Sequence, residues 1–124
     1  ANPDLVVDMG SQRLYCAGAL AALYEEIGGK VLYFGKPHPP IYDLAMRRLS
    51  ALGGADESRV LAIGDGINTD IVGAAGEGLD ALFITGGLAA DQFGADPAAP
   101  DSTLLKAWLA VRQLAPQYAS GFLR

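Results

Sequence analysis

Two short apolar runs, each closed by a glycine and then a charged residue, constrain this chain more than any other feature. The first is Val31-Leu32-Tyr33-Phe34-Gly35-Lys36, and the second is Leu61-Ala62-Ile63-Gly64-Asp65. An apolar run of this kind reads as a buried strand of a parallel sheet. Open α/β sheets bind ligands at the carboxyl ends of such strands. Asp65 would therefore stand at the mouth of a crevice, its charge facing ligand and water. A second carboxylate, Asp70, follows five residues later, where a helix begins. Gly64 and Gly66 permit a tight turn and the close approach of an ion. Two carboxylates at such an edge suit a hard cation such as Mg²⁺, which prefers oxygen ligands and keeps several waters. The same residues have a plainer reading. An Asp after a strand is often a turn former or a helix N-cap, and Asn68, Thr69 or Asp70 could cap the helix that follows.

After Lys36 the chain reads Pro37-His38-Pro39-Pro40. The prolines mark a loop and then a helix start, because proline suits the first helical turn. The spacing of Ile41, Leu44, Ala45, Leu49 and Leu52 predicts a helix over 41–52 with one apolar face, stopped by Gly53-Gly54. Lys36 then lies just before a helix N-terminus, where the helix dipole disfavours positive charge. A phosphate at the same end would resolve that conflict, since it accepts from both the lysine and the free N–H groups. An exposed loop lysine is the commoner arrangement.

Elsewhere the pattern alternates. A short strand is predicted at 5–7 and a helix over 16–27 ended by Gly28-Gly29, with Leu20, Leu23, Tyr24 and Ile27 on one face. Strands are predicted at 31–34, 60–63 and 81–85, and a short helix at 68–75. A loop rich in Gly, Ala, Asp and Pro covers 86–100. Asp101 or Ser102 caps a last helix reaching about residue 114, with Leu104, Leu105, Trp108 and Leu109 on its core face, and the tail from Pro116 has no clear pattern. Strands alternating with helices predict a parallel α/β sheet with right-handed crossovers.

Composition narrows the function. Half of the 124 residues are hydrophobic and 19% are charged, so a packed core is expected. The net charge is −5 and no basic run occurs, which argues against nucleic-acid binding. No apolar stretch is long enough to span a bilayer, and no signal peptide is visible. The single Cys16 excludes an intramolecular disulfide and suits a reducing, cytoplasmic setting. At a helix start its thiol pKa could fall; the alternative is a small buried hydrophobe. His38 is the only histidine, close enough to Lys36 to touch a ligand, or simply exposed. Gly73, Gly76 and Gly78 lack the spacing of a dinucleotide fingerprint, and 65–70 lacks the alternating ligands of an EF-hand.

Taken together, Gly35-Lys36-Pro37 before a helix and Ile63-Gly64-Asp65 with Asp70-Ile71 resemble the haloacid dehalogenase (HAD) superfamily of phosphatases. Class IIA of that superfamily is the narrower resemblance. Ala1-Asn2-Pro3-Asp4 is similar to its Thr-Asn-Pro-Asp segment, and Gly18-Ala19-Leu20 to its glycine-small-leucine segment. Ala75-Gly76-Glu77-Gly78-Leu79 and Phe83-Ile84-Thr85-Gly86-Gly87 resemble the run that follows its acidic motif. The similarity covers about residues 1–90, in order. It implies a HAD-like, Rossmann-like parallel sheet with flanking helices, and a Mg²⁺-dependent phosphomonoester hydrolase acting on a small phosphorylated substrate. Lys36 would be the catalytic and phosphate-binding lysine. Asp65 would help hold Mg²⁺, and Asp70 would act through metal-bound water or by orienting its neighbours. That division suits phosphoryl transfer, in which catalysis is mostly positioning and cationic stabilisation.

One departure is serious. The family's nucleophile is an aspartate in a D-x-D motif near the N-terminus, followed by a Ser/Thr motif, and neither is here. Asp4 and Asp8 are separated by three residues and do not fit. The chain thus resembles a C-terminal fragment with an incomplete sheet. Residues 1–33 would be the end of a cap domain and 34–124 the distal half of the core, with the break near residues 32–35. Such a fragment is expected to be inactive alone, its parent active. Exposed apolar surface would invite a homodimer or aggregation. The competing expectation is a non-catalytic, doubly-wound α/β binding module. There the carboxylates are turn formers and Lys36 points to solvent, far from Asp65.

Overall fold

A computed structural model describes residues 2–54 and 56–123, so Ala1 of the Asn-Pro-Asp segment lies outside the described residues. The chain opens with a hairpin of β1 (Val6–Met9) and β2 (Gln12–Tyr15), antiparallel, with Val6 opposite Tyr15 and Met9 opposite Gln12. The two-residue connection Gly10-Ser11 is a hairpin signal, and Gly10 adopts φ 62° there. The strand expected at 5–7 therefore runs further, and its partner was not foreseen. All of β2 is exposed, so no buried alternation betrays it.

Helix α1 (Ala17–Glu26) follows, with Cys16 at its N-cap, half-buried. It ends where expected, because Gly28 takes φ 88° and donates to the Glu25 carbonyl at 2.9 Å. The amides of Cys16 and Gly18 donate to the Leu5 and Asp4 carbonyls, which ties the N-terminal segment to the helix.

Residues 31–34 correct the sequence reading, since they belong to neither sheet. Leu32 and Phe34 are exposed, at 76% and 57%. An apolar run becomes a strand only where a neighbouring strand accepts its ladder.

Helix α2 (Pro39–Ala51) begins at its prolines and stops before Gly53, which takes φ 93°. The expected packing face is rotated. Tyr42 and Met46 pack against the core, whereas Ile41 and Leu44 are 38% and 39% exposed and Leu52 is 87% exposed. Two apolar stripes overlap on this helix, and its neighbours in the fold cover the one that carries Tyr42.

The main sheet is parallel throughout, in the order β3 (Leu61–Gly64), β4 (Asp80–Ile84), β5 (Tyr118–Ser120). A π-helical turn (Ile67–Ile71) leading into α3 (Val72–Gly76) connects β3 to β4. Helix α4 (Ser102–Val111) connects β4 to β5. Asp101 caps it, its carboxylate accepting from the Thr103 and Leu104 amides at 2.8 and 3.0 Å. Alternate residues of the sheet, Ala81 and Phe83, face a core with Ile71, Ala74, Leu79, Phe93 and Leu105. Phe83 stacks on Trp108 with centroids 5.9 Å apart, and Phe93 meets both rings edge-on. Leu104 points away from this core and is 48% exposed. On the other side of the sheet Leu61 and Ile63 are 41% and 48% exposed. Among the described residues no helix is long and apolar enough to cross a membrane.

Strand β5 was not legible in the tail because three residues carry too little pattern. Its place is fixed by bonds from the end of β4. The Thr85 amide donates to the Ser120 carbonyl at 2.9 Å, and the Gly86 amide to the Gly121 carbonyl at 2.8 Å. A Cβ at Gly86 would lie 2.4 Å from that Gly121 oxygen and 2.6 Å from the Phe122 ring. Backbone cannot yield cheaply, so Gly86→Ala is expected to cost about 1–3 kcal/mol, the range for overpacking. Urea unfolding of the two proteins measures it.

Candidate functional site

The site grows from the turn that ends β3. Past Gly64 the chain tightens so that the amides of Thr69, Asp70 and Ile71 all donate to the Gly66 carbonyl, Asp70 most closely at 2.7 Å. This folds the Asp70 side chain back under the turn, where the residue is 8% exposed. Its Oδ2 accepts from the Gly66 amide at 2.9 Å. Its Oδ1 accepts from Lys36 Nζ, forming an ion pair between the segment before α2 and the turn after β3. A Cβ at Gly64 would lie 2.1 Å from Asp70 Cγ. Glycine is required there so that the carboxylate can occupy the space.

Asp65 goes elsewhere. It is half-buried, and its Oδ2 accepts from the Leu88 amide at 3.0 Å, in the loop beyond β4. The structure thus brings Lys36 and Asp70 into contact and holds Asp65 on the same turn by a separate anchor. The lysine beside a helix N-terminus is compensated by Asp70, an internal anion. Lys36 is held by a carboxylate and does not stand free in solvent, although half of its side chain is exposed.

Asp65 lines a cavity of about 850 Å³, together with Pro37, His38, Asn68, Thr69 and Leu88. Lys36 and Asp70 are not part of its wall among the described residues. The Leu88 and Gly66 amides, which fix the two carboxylates, were missed from sequence. Backbone donors leave no residue-type signature, and only the glycines at 64 and 66 hinted at close approach.

Electrostatics follow the contacts. The hydrogen bond from Lys36 to Asp70 raises the lysine pKa; partial burial opposes this, and the Asp70 charge adds to it. The Tyr42 hydroxyl is raised by burial and by the nearby Asp70 charge, with Lys36 acting against both. Among the described residues no group of three or more His, Cys, Asp or Glu could hold a metal ion. The two carboxylates nevertheless fit Mg²⁺ in chemistry, because that ion needs only one or two carboxylates beside waters and phosphate oxygens. Asp70 has both oxygens engaged, so Asp65 is the better direct donor.

A lysine whose folded pKa is raised contributes stability below that pKa and loses it as pH rises through it. The stability gap between the wild type and Lys36→Met should hold from neutral pH up to the usual lysine value of 10.5 and close above it. Urea unfolding at stepped pH checks this, and a gap already lost by pH 9 would be the contrary result.

A family model described as HAD-hydrolase-like matches residues 33–106. No curated protein matches the chain. Among solved structures it is similar to a hydrolase of the haloacid dehalogenase-like family from Brucella suis 1330. Identity is 42% over 99% of this chain and 42% of that one, with a TM-score of 0.73. It is also similar to a variant of the thermostable p-nitrophenylphosphatase from Bacillus stearothermophilus. There the identity is 25% over 97% of this chain and 41% of that one, with a TM-score of 0.62. The p-nitrophenyl phosphatase from Archaeoglobus fulgidus shares the fold, with 24% identity over 95% of this chain and 40% of that one, and a TM-score of 0.63. The chain therefore spans about two fifths of the length of each of these proteins. The matched model covers more than half of its residues, and the chain belongs to the HAD-like hydrolase family.

Proposed function

We propose that this chain is the C-terminal part of a Mg²⁺-dependent phosphomonoester hydrolase of HAD class IIA. In this reading residues 1–33 are the end of the cap and 34–124 the distal half of the core. The observation that carries it is the Lys36–Asp70 ion pair at the carboxyl end of a parallel strand, with Asp65 on the same turn beside a cavity. A hydrolase of phosphate esters needs positive charge where the phosphoryl oxygens gather charge in the transition state. Lys36 supplies it. Asp70, fixed by the Gly66 amide, positions the ammonium group so that it need not reorganise during the reaction. Asp65 would hold Mg²⁺ directly and Asp70 through water; the bound ion would neutralise phosphate charge. The attacking carboxylate lies outside this chain, since no D-x-D pair occurs at its start. The substrate is a small phosphorylated molecule, not a nucleic acid, in keeping with the net charge of −5. A cytoplasmic setting is supported by the single cysteine. In this reading the rest of the core covers the exposed Leu61 and Ile63, and in the isolated chain that face would invite association as a homodimer.

The test is Mg²⁺-dependent hydrolysis of p-nitrophenyl phosphate by this chain and by the protein extended to its parent N-terminus. Activity is expected only in the extended protein. There Lys36→Ala and Asp65→Asn should each lower turnover about 100-fold or more, as loss of a preorganised charge does. Activity in neither protein would favour the non-catalytic binding module. Activity in the short chain would mean that a carboxylate within it attacks.

A further inference from the structure

Helix α2 begins three residues after Lys36, so the placement of the helix sets where the lysine backbone lies. None of the helix residues is buried. A helix covered so lightly is placed by few contacts. Tyr42 and Met46, one turn apart, pack against the core. Tyr42 also meets α3. A Cβ at Gly73 would lie 2.0 Å from Tyr42 Oη, 2.8 Å from Cζ and 3.0 Å from Cε2. The phenol therefore fills the space that a side chain at 73 would take. Gly73 lies three residues after Asp70, and Tyr42 six residues after Lys36. The seat of Tyr42 on Gly73 thus joins the same two segments as the Lys36–Asp70 ion pair. Burial raises the Tyr42 hydroxyl pKa, the Asp70 charge adds to this and Lys36 opposes it, so the hydroxyl lies within the field of both partners. A lysine has a flexible four-carbon stem, and its ammonium group stays at one carboxylate only if the backbone is held at the right distance.

We propose that Tyr42, seated on Gly73, is a positioning residue that sets α2 against the turn after β3 so that Lys36 meets Asp70. Its bearing on catalysis rests on the phosphate-binding reading of Lys36. The shape of the ring does this, so phenylalanine serves at 42 and a smaller side chain does not. Alanine at 73 drives the phenol off its seat. Without Oη the nearest ring atom is Cζ, so Tyr42→Phe makes most of the room that the new methyl group needs.

Lysine labelled with ¹³C at Cε reports on the ion pair in this chain, which has three lysines. Lys30 and Lys106 are exposed and give the solvent reference, and Lys36→Arg assigns the third signal. Gly73→Ala and Tyr42→Leu are each expected to move the Lys36 signal toward those of the exposed lysines. Tyr42→Phe should leave it in place, and Tyr42→Phe added to Gly73→Ala should bring it most of the way back. Met46→Ala removes packing one turn further along α2 and should leave the signal unmoved. Amide spectra show which variants are folded; if Gly73→Ala is not, Tyr42→Leu against Met46→Ala decides. The proposal is overturned if the signal stays put in folded Gly73→Ala and Tyr42→Leu, if Tyr42→Phe fails to recover it, or if Met46→Ala moves it as far. In the protein extended to its parent N-terminus, Gly73→Ala should lower turnover of p-nitrophenyl phosphate about tenfold or more, because a misplacement of about 1 Å can cost about 100-fold. Tyr42→Phe should restore most of that loss. A signal that moves while turnover holds would leave the seat standing and overturn the reading of Lys36.

Discussion

The Asp70 carboxylate holds this site together. One oxygen accepts from the backbone that follows β3, and the other from a lysine 34 residues earlier in the chain. A carboxylate this deeply buried is costly unless paired and hydrogen-bonded, and here it is both. Neither half of the arrangement exists without the other. The turn needs the carboxylate to satisfy its Gly66 amide, and the lysine needs it to rest against a helix N-terminus. The same bonds fix how the segment leading into α2 sits on the sheet. The residues most readily assigned to chemistry are therefore also part of the architecture.

The parts legible in sequence were those governed by local rules. Prolines opened α2 and glycines closed α1 and α2. Asp101 capped α4 through bonds that its side chain alone could offer. The run ending in Gly64-Asp65 became β3 and the turn after it because glycine and aspartate serve that geometry directly. What failed was governed by partners distant in sequence. The run at 31–34 had strand composition but no strand beside it among the described residues. Strand β5 existed because of amides at Thr85 and Gly86, and nothing within 118–120 announced it. On α2, the periodic residues named in sequence were not the ones the core took up; Tyr42, which lies close against Gly73, and Met46 pack there instead.

The site followed the same division. Lys36, Asp65 and Asp70 could be picked out because charged side chains at strand ends and helix starts are conspicuous. Their grouping could not be. Asp70 was expected to act through metal-bound water or by orienting its neighbours, and its contacts to the lysine and the turn depend on distances no spacing rule contains. Backbone amides complete the arrangement, and a sequence does not mark which of its amides will be used.

The bond from the Leu88 amide to Asp65 has a consequence of its own. It makes the loop beyond β4 a latch whose catch is a charged group of the site. A ligand competing for that oxygen must loosen the latch, and a ligand drawing only on the other oxygen leaves it shut. Two occupants of similar affinity would therefore leave the loop at Leu88 in different states of order, according to which oxygen was taken.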